Sequence, residues 1–295
     1  RGGGNRHGAR GVVRDDYASM SLGILASKSV SCWISKSDLH KKAAFTLAEV
    51  LITLGIIGVV AALTIPSIIR NYQEKVTITR LEKTYSFLSQ AFEQAINDNG
   101  TVDTWCDKED LVSNGYGNCT NKISEKIGPY LKTVKICKPW QRDCFGDKYL
   151  YLYEGEFQFG SDASTYVTPD GVSIAFKASN GDGYRNWWCQ VNKNETNGNW
   201  RYIRNCGDIY VDINGASAPN VISKDMFQFR IYKDGIAAAG LPADGVWIVS
   251  FEEICLGKRV YRSDACSGWV LVNKNMDYLR CKALSWTGKK SCKEK

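Results

Sequence analysis

The chain has 295 residues, 44% hydrophobic and 23% charged, with 38 Lys and Arg against 31 Asp and Glu, 11 Cys and 2 His. Such a composition buries a real core and excludes wholesale disorder or a collagen-like chain, and the length allows one large domain or two small ones. Both histidines, His7 and His40, precede the apolar run that starts at Phe45, so the rest of the chain offers no Ser-His-Asp or Cys-His pair, no His-ligated zinc and no imidazole base.

Residues 1–44 hold 8 Lys and Arg against 3 Asp and Glu, leaving 30 against 28 for the remainder, so +5 of the net +7 sits in this first segment. Nucleic acid is therefore an unfavoured partner for the rest of the chain. RGGGNRHGARGVVRDD has no apolar periodicity and reads as a basic tail; a start at Met20 would leave a 25-residue leader ending at Ala44. No function is assigned to residues 1–35.

From Phe45 to Ile65 runs FTLAEVLITLGIIGVVAALTI, with 15 aliphatic or Phe residues, three Thr, two Gly and one charge among 21. At about 1.5 Å per residue this helix reaches about 30 Å, enough to cross a bilayer core. A buried core helix seldom runs apolar on all faces for so long. A secretory signal has a shorter apolar region followed by a small-residue cut site; Ala61 and Ala62 mimic one, but Leu63, Thr64 and Ile65 continue the run. Glu49 is the lone charge, and a carboxylate in a membrane helix costs roughly 2.5 to 3.5 kcal/mol unless it has a partner. No basic residue lies in the run; a cut between Ala44 and Phe45 would create an α-amino group that a neighbouring subunit's Glu49 could neutralise.

KKAAFTLAEVLITLGIIGVVAALTIP resembles the prepilin signal of type IV pilins and type II secretion pseudopilins. The likeness rests on Lys41 and Lys42, small Ala44 before the cut, Phe45 as the new N-terminus, Glu49 as its fifth residue, and Pro66 closing the run. It implies cleavage after Ala44 by an inner-membrane prepilin peptidase, N-methylation of Phe45, and extraction by an assembly platform into a filament of pilin-like subunits, with Glu49 setting register. Ala44 stands where the family more often has Gly, and the leader is long for the family.

Beyond Pro66, the adjacent Ile68 and Ile69 are followed by Tyr72, Val76, Leu81, Tyr85, Leu88, Phe92 and Ile96 at steps of three and four with one of five, an amphipathic pattern that Asn97-Asp98-Asn99-Gly100 stops. One helix of about 50 residues with a weak point at Pro66 is predicted, its second half presenting a seam to a globular part. From Gly100 onward the short alternating stretches predict β structure. Candidate strands are Asp147 to Phe159, Tyr166-Val167 and Val172 to Phe176 about a Thr168-Pro169-Asp170-Gly171 turn, Met226 to Tyr232, Val246 to Phe251 and Trp269 to Val272; Met276 to Ala283 reads as a short helix. In Met226 to Tyr232, Phe227, Phe229 and Ile231 share one face, expected on the helix, and Gln228, Arg230 and Tyr232 the other. YVDINGASAPNVISKDMFQFRIYKDG and GWVLVNKNMDYLRCKALSW resemble tail blocks of pilin-like proteins.

Removing Cys32 with the leader leaves ten cysteines, whose clustering favours sequential pairs: Cys106 with Cys119, Cys137 with Cys144, Cys189 with Cys206, Cys255 with Cys266 and Cys281 with Cys292. Asp208, Asp212 and Asn214 beside Gly215, and then Asp225, offer oxygen donors for calcium, but without the spaced acids and terminal Glu of an EF-hand loop; surface-turn residues are the favoured reading, and no metal site or cofactor is assigned. Tyr184, Arg185, Trp187, Trp188, Trp200, Arg201, Tyr202 and Arg204 form either a disulfide-tied packing cluster or a stacking surface for glycans or single-stranded DNA. No G-x-S-x-G, P-loop, H-E-x-x-H or dinucleotide fingerprint occurs, and Glu154, Glu156, Glu252 and Glu253 read as solvated surface, so no enzyme is expected.

The reading is an α+β pilin-like chain: residues 1–44 a removed leader, 45–65 a transmembrane helix, 66–98 its amphipathic half, and 99–295 an extracytoplasmic, disulfide-rich β domain. A single pass of the bacterial inner membrane, with the globular part in the periplasm or outside, is the expected location before filament assembly. The alternative is a monomeric membrane-anchored glycan-binding or adhesin module held by an uncut helix.

Overall fold

A computed structural model describes residues 46–107, 110, 116–139, 141, 143–157, 164–178, 189, 206–242, 251–257 and 265–294. The chain divides into two units between Gly55 and Ile56, within the first helix. That helix, α1, spans Leu47–Asn99 without interruption and contains Pro66. Pro66 lacks the N–H that would bond the carbonyl of Ala62, yet the turns on either side continue. The predicted stop is realised: the Gly100 N–H bonds the Ile96 carbonyl at 2.9 Å and Gly100 takes φ +80°, a left-handed conformation that favours glycine.

Only the end of α1 is core. Leu81, Thr84, Leu88, Ala91, Phe92 and Ala95 are its buried residues, spaced as one stripe of a 3.6-residue helix. Ile68, Ile69 and Tyr72, expected in the seam, are exposed instead. The stripe meets aromatic side chains: Tyr85 lies 5.4 Å from Phe229, and Phe92 lies 6.1 Å from Phe176, measured between ring centroids. Polar ties flank it, with Lys83 to Asp170 at 2.6 Å, Arg80 Nη1 to the Ile213 carbonyl at 3.1 Å, Arg280 bridging Glu74 and Asp277, and Lys274 on Glu82.

The sheet is antiparallel throughout, in the order β1 (Lys135–Cys137), β4 (Thr165–Val167), β5 (Ser173–Ala178), β6 (Gly207–Asp212), β7 (Met226–Tyr232) and β8 (Gly235–Ala238). β4 and β5 flank the predicted turn, where the Gly171 N–H bonds the Thr168 carbonyl. Phe227, Phe229 and Ile231 of β7 join the core cluster that holds Leu88 and Phe92. Gln228 and Arg230 are also buried, so β7 does not keep its alternate face in water. Arg230 answers Asp208 across the β6–β7 ladder, Nη1 to Oδ1 at 2.6 Å. A second apolar cluster holds Phe145, Tyr149, Ala175, Ile222 and Met226.

Three expectations are corrected. Asp147 to Phe159 is not one strand but a short hairpin of β2 (Tyr149–Leu150) and β3 (Glu156–Phe157); the Tyr151 N–H bonds the Gly155 carbonyl, and Gly155 at φ +94° reverses the chain. Trp269 to Val272 is helical, inside Ser267–Asn273, because Trp269 packs its ring 4.0 Å from that of Phe251 and tertiary burial overrides β propensity. Helix Tyr116–Ile127 was not anticipated; its Cys119, Ile123 and Ile127 are fully buried at steps of four, although Asn118, Thr120 and Asn121 are poor helix formers. We number these α2 (Tyr116–Ile127), α3 (Phe251–Ile254) and α4 (Ser267–Asn273). Of Val246 to Phe251, only Phe251 is described, and it opens α3. Met276 to Ala283 contains a single 3₁₀ turn, Asp277–Leu279.

Candidate functional site

The N-terminal part of α1 is built to leave its apolar residues uncovered. Leu47, Leu51, Ile52, Leu54, Ile56, Ile57, Val59, Val60, Leu63, Ile65, Ile68 and Ile69 are all exposed, Leu47 to 77%. The helix is long and apolar enough to cross a membrane, and none of its most apolar window is buried. Its hydroxyls are satisfied within the helix: Thr53 donates to the Val50 carbonyl, Thr64 to Val60 and Ser67 to Thr64. That internal accounting is what a hydrocarbon environment demands of polar groups.

Glu49 has a partner that the sequence reading overlooked. Its Oε2 accepts the Thr46 backbone N–H at 2.8 Å and the Thr46 hydroxyl at 3.0 Å, while the Glu49 N–H donates to Thr46 Oγ1 at 3.2 Å. This is a capping box, with Thr46 ahead of the first helical residue and Glu49 at the third. It satisfies donors that the first helical turn leaves open and sets a carboxylate against the positive end of the helix dipole. The T-x-x-E spacing was the available signal. Ala44 and Phe45 lie outside the described residues.

The structure pairs the cysteines as Cys106–Cys119, Cys137–Cys144, Cys189–Cys206, Cys255–Cys266 and Cys281–Cys292, closing separations of 7 to 17 residues. Four bridges pin an element end or loop beside the core. The fifth, Cys281–Cys292, ties the chain terminus to Asp277, whose backbone carbonyl lies near both sulfurs.

The four calcium candidates are engaged by protein groups. Asp208 holds Arg230; Asn214 donates its Nδ2 to the Ser217 carbonyl at 2.8 Å and the Ala218 carbonyl at 3.2 Å; Asp225 accepts the N–H groups of Asn220 and Val221 at 2.7 and 2.6 Å. Asp212 accepts the Tyr149 hydroxyl and the Asn214 N–H. Burial raises the Asp212 carboxyl to about 8, opposed by those hydrogen bonds and reinforced by the nearby Asp225 charge, and burial raises Asp225 as well. The same burial, with the Asp212 charge, pushes the Tyr149 phenol well up. Among the described residues no group of three His, Cys, Asp or Glu is placed to hold a metal ion. Asp212 and Asp225 are buried with Tyr149, so they form an internal polar knot rather than the expected surface turn, whereas Asp208 and Asn214 are only partly buried.

Of the surface acids, Glu156 pairs with Lys148 at 3.2 Å and Glu252 accepts the Trp286 N–H at 2.9 Å. The aromatic and basic cluster from Tyr184 to Arg204 lies outside the described residues.

Two family models match the chain. Residues 39–65 match the prokaryotic N-terminal methylation motif, and residues 67–239 match a family of unknown function, DUF6613. No curated protein and no solved structure matches.

Proposed function

From a chain that belongs to the family of unknown function DUF6613 and carries a type IV pilin-like prepilin signal, we propose a structural subunit of a type II secretion or type IV pilus filament. Cleavage falls between Ala44 and Phe45, Phe45 is methylated, and residues 45–65 cross the inner membrane once. Residues 66–98 continue the helix and residues 99–295 stand on the far side, where five disulfides suit an oxidising compartment. The partners are prepilin peptidase, the inner-membrane assembly platform and other pilin-like subunits.

One observation carries this reading: the methylation motif coincides with the helix whose apolar side chains are exposed on every face. A lone membrane anchor needs only greasy residues, whereas Glu49 adds a cost that a second group must offset. In the capping box both Thr46 bonds fall on Oε2, which supports a role for the second oxygen as acceptor of the amine of a neighbouring Phe45.

The test is mass spectrometry of the N-terminus of protein purified from its host, together with fractionation of sheared filaments. Methylated Phe45 is expected at the N-terminus, and Glu49→Ala is expected to be processed normally yet to stay in the membrane fraction. Native protein left intact across Ala44 and Phe45 would instead establish the monomeric anchored module.

A further inference from the structure

The six-stranded sheet has two edges, and they are treated differently. Beyond β8 the chain is covered: the Ala239 carbonyl accepts the Gly268 N–H at 2.9 Å and the Ser267 hydroxyl at 3.3 Å, which seats the start of α4 there. At the opposite edge β1 pairs with β4 alone, and among the described residues nothing pairs with its outer side. Val134 and Ile136, side by side on one face, are 68% and 59% exposed. Pairing with β4 and the Cys137–Cys144 bridge hold this edge in place.

The edge is also basic. Lys132, Lys135 and Lys138 are all exposed; Lys135 donates to the Asp143 carbonyl at 3.3 Å and reaches the Asp143 carboxylate only at 4.0 Å, and Lys132 and Lys138 have no acidic partner among the described residues. Edge lysines repel another basic strand, which is how sheet proteins avoid indiscriminate pairing; the same charge admits an acidic one. Next to the N-terminal end of β1 opens a cleft of about 360 Å³, lined by Thr84, Phe87, Lys132, Thr168 and Pro169, with the Lys83–Asp170 pair also in its wall. Thr84 donates its hydroxyl to the Arg80 carbonyl and Thr168 to Asp170, so the lining hydroxyls are spent and the cleft suits an apolar side chain.

We propose that the β1 edge and this cleft dock an extended acidic segment of a partner polypeptide. The segment adds as a further strand, with main-chain bonds supplying affinity, carboxylates on the face of Lys135 and between the flanking Lys132 and Lys138, apolar side chains beside Val134 and Ile136, and one apolar or aromatic side chain seated between Phe87 and Pro169. The proposal stands whether or not the chain enters a filament.

The test uses the full chain in detergent micelles and a fluorescent ten-residue peptide of alternating Glu and Val with one Phe near its end, read by anisotropy. Saturable binding is expected. Replacing Glu by Lys in the peptide should abolish it, and methylating alternate peptide amides should weaken it by about tenfold or more. Lys132→Glu with Lys135→Glu should weaken binding about tenfold at unchanged thermal stability, whereas Lys224→Glu should leave it intact. Equal binding by the amide-methylated peptide, a scrambled peptide or an oligonucleotide of equal charge would reduce the edge to a charge sink and overturn the proposal. So would failure to bind at about millimolar peptide, or self-association of the chain that Lys135→Glu abolishes, which would assign the edge to a second copy.

Discussion

At the scale of single residues, carboxylates in this chain are defined by what donates to them. Glu49 answers Thr46 at the start of α1, Asp208 answers Arg230, and Asp212 answers Tyr149. Asp212 yields a pH prediction. Its carboxyl titrates near 8 in the folded chain against about 4 when unfolded. The folded state therefore binds the proton more tightly across that window. Its contribution to stability is full below about pH 4, declines as pH rises, and is gone above about pH 8. Asp225 is shifted in the same direction. Asp212→Asn keeps an acceptor for the Tyr149 hydroxyl and removes the charge. Thermal melts from pH 5 to 9 should show the variant more stable than the parent at pH 8.5 by at least about 1 kcal/mol, with a flatter slope. A less stable variant at pH 8.5 would mean that the ionised carboxylate is held rather than penalised.

At the scale of elements, α1 divides into two stretches with different physics. Leu88 and Phe92 are fully buried, whereas Ile69 is 49% exposed on the same helix. Phe92→Ala should cost about 3 to 5 kcal/mol and Leu88→Ala about 2 to 5, through lost transfer energy and a residual cavity. Ile69→Ala should change unfolding of the globular part by less than about 0.5 kcal/mol. Denaturant titration in micelles, followed by tryptophan emission, distinguishes them. The stop at Gly100 and the hairpin at Thr168 to Gly171 were readable because their turn chemistry is local. The α2 and α4 helices were not, because neighbours decide them: Cys119 and Ile123 are buried in the core, and Trp269 lies against Phe251.

At the scale of the whole molecule, five short-range bridges do what a larger core would otherwise do. Each closed loop of 7 to 17 residues is expected to contribute about 2 to 4 kcal/mol by restricting the unfolded chain. Complete reduction should therefore unfold or greatly loosen residues 99–295 while leaving the apolar helix in its micelle. Circular dichroism with and without reductant checks this: loss of near-ultraviolet signal with most helical signal retained is the expected result, and an unchanged near-ultraviolet spectrum would refute it.

Local patterns in the sequence alone determined the apolar helix, its stop and the paired ordering of the cysteines, because each is written in adjacent residues: a run without polar faces, a glycine after Asn-Asp-Asn, neighbours close enough to bridge. The T-x-x-E cap belongs to the same class, since Thr46 and Glu49 lie one helical turn apart. Tertiary structure decided where burial begins on α1, which tail segments are helical, that both faces of β7 are covered, and that among the described residues one sheet edge is left open. Those outcomes depend on which surfaces meet, and residues far apart in the chain set the meeting; a periodicity names a face but not what covers it.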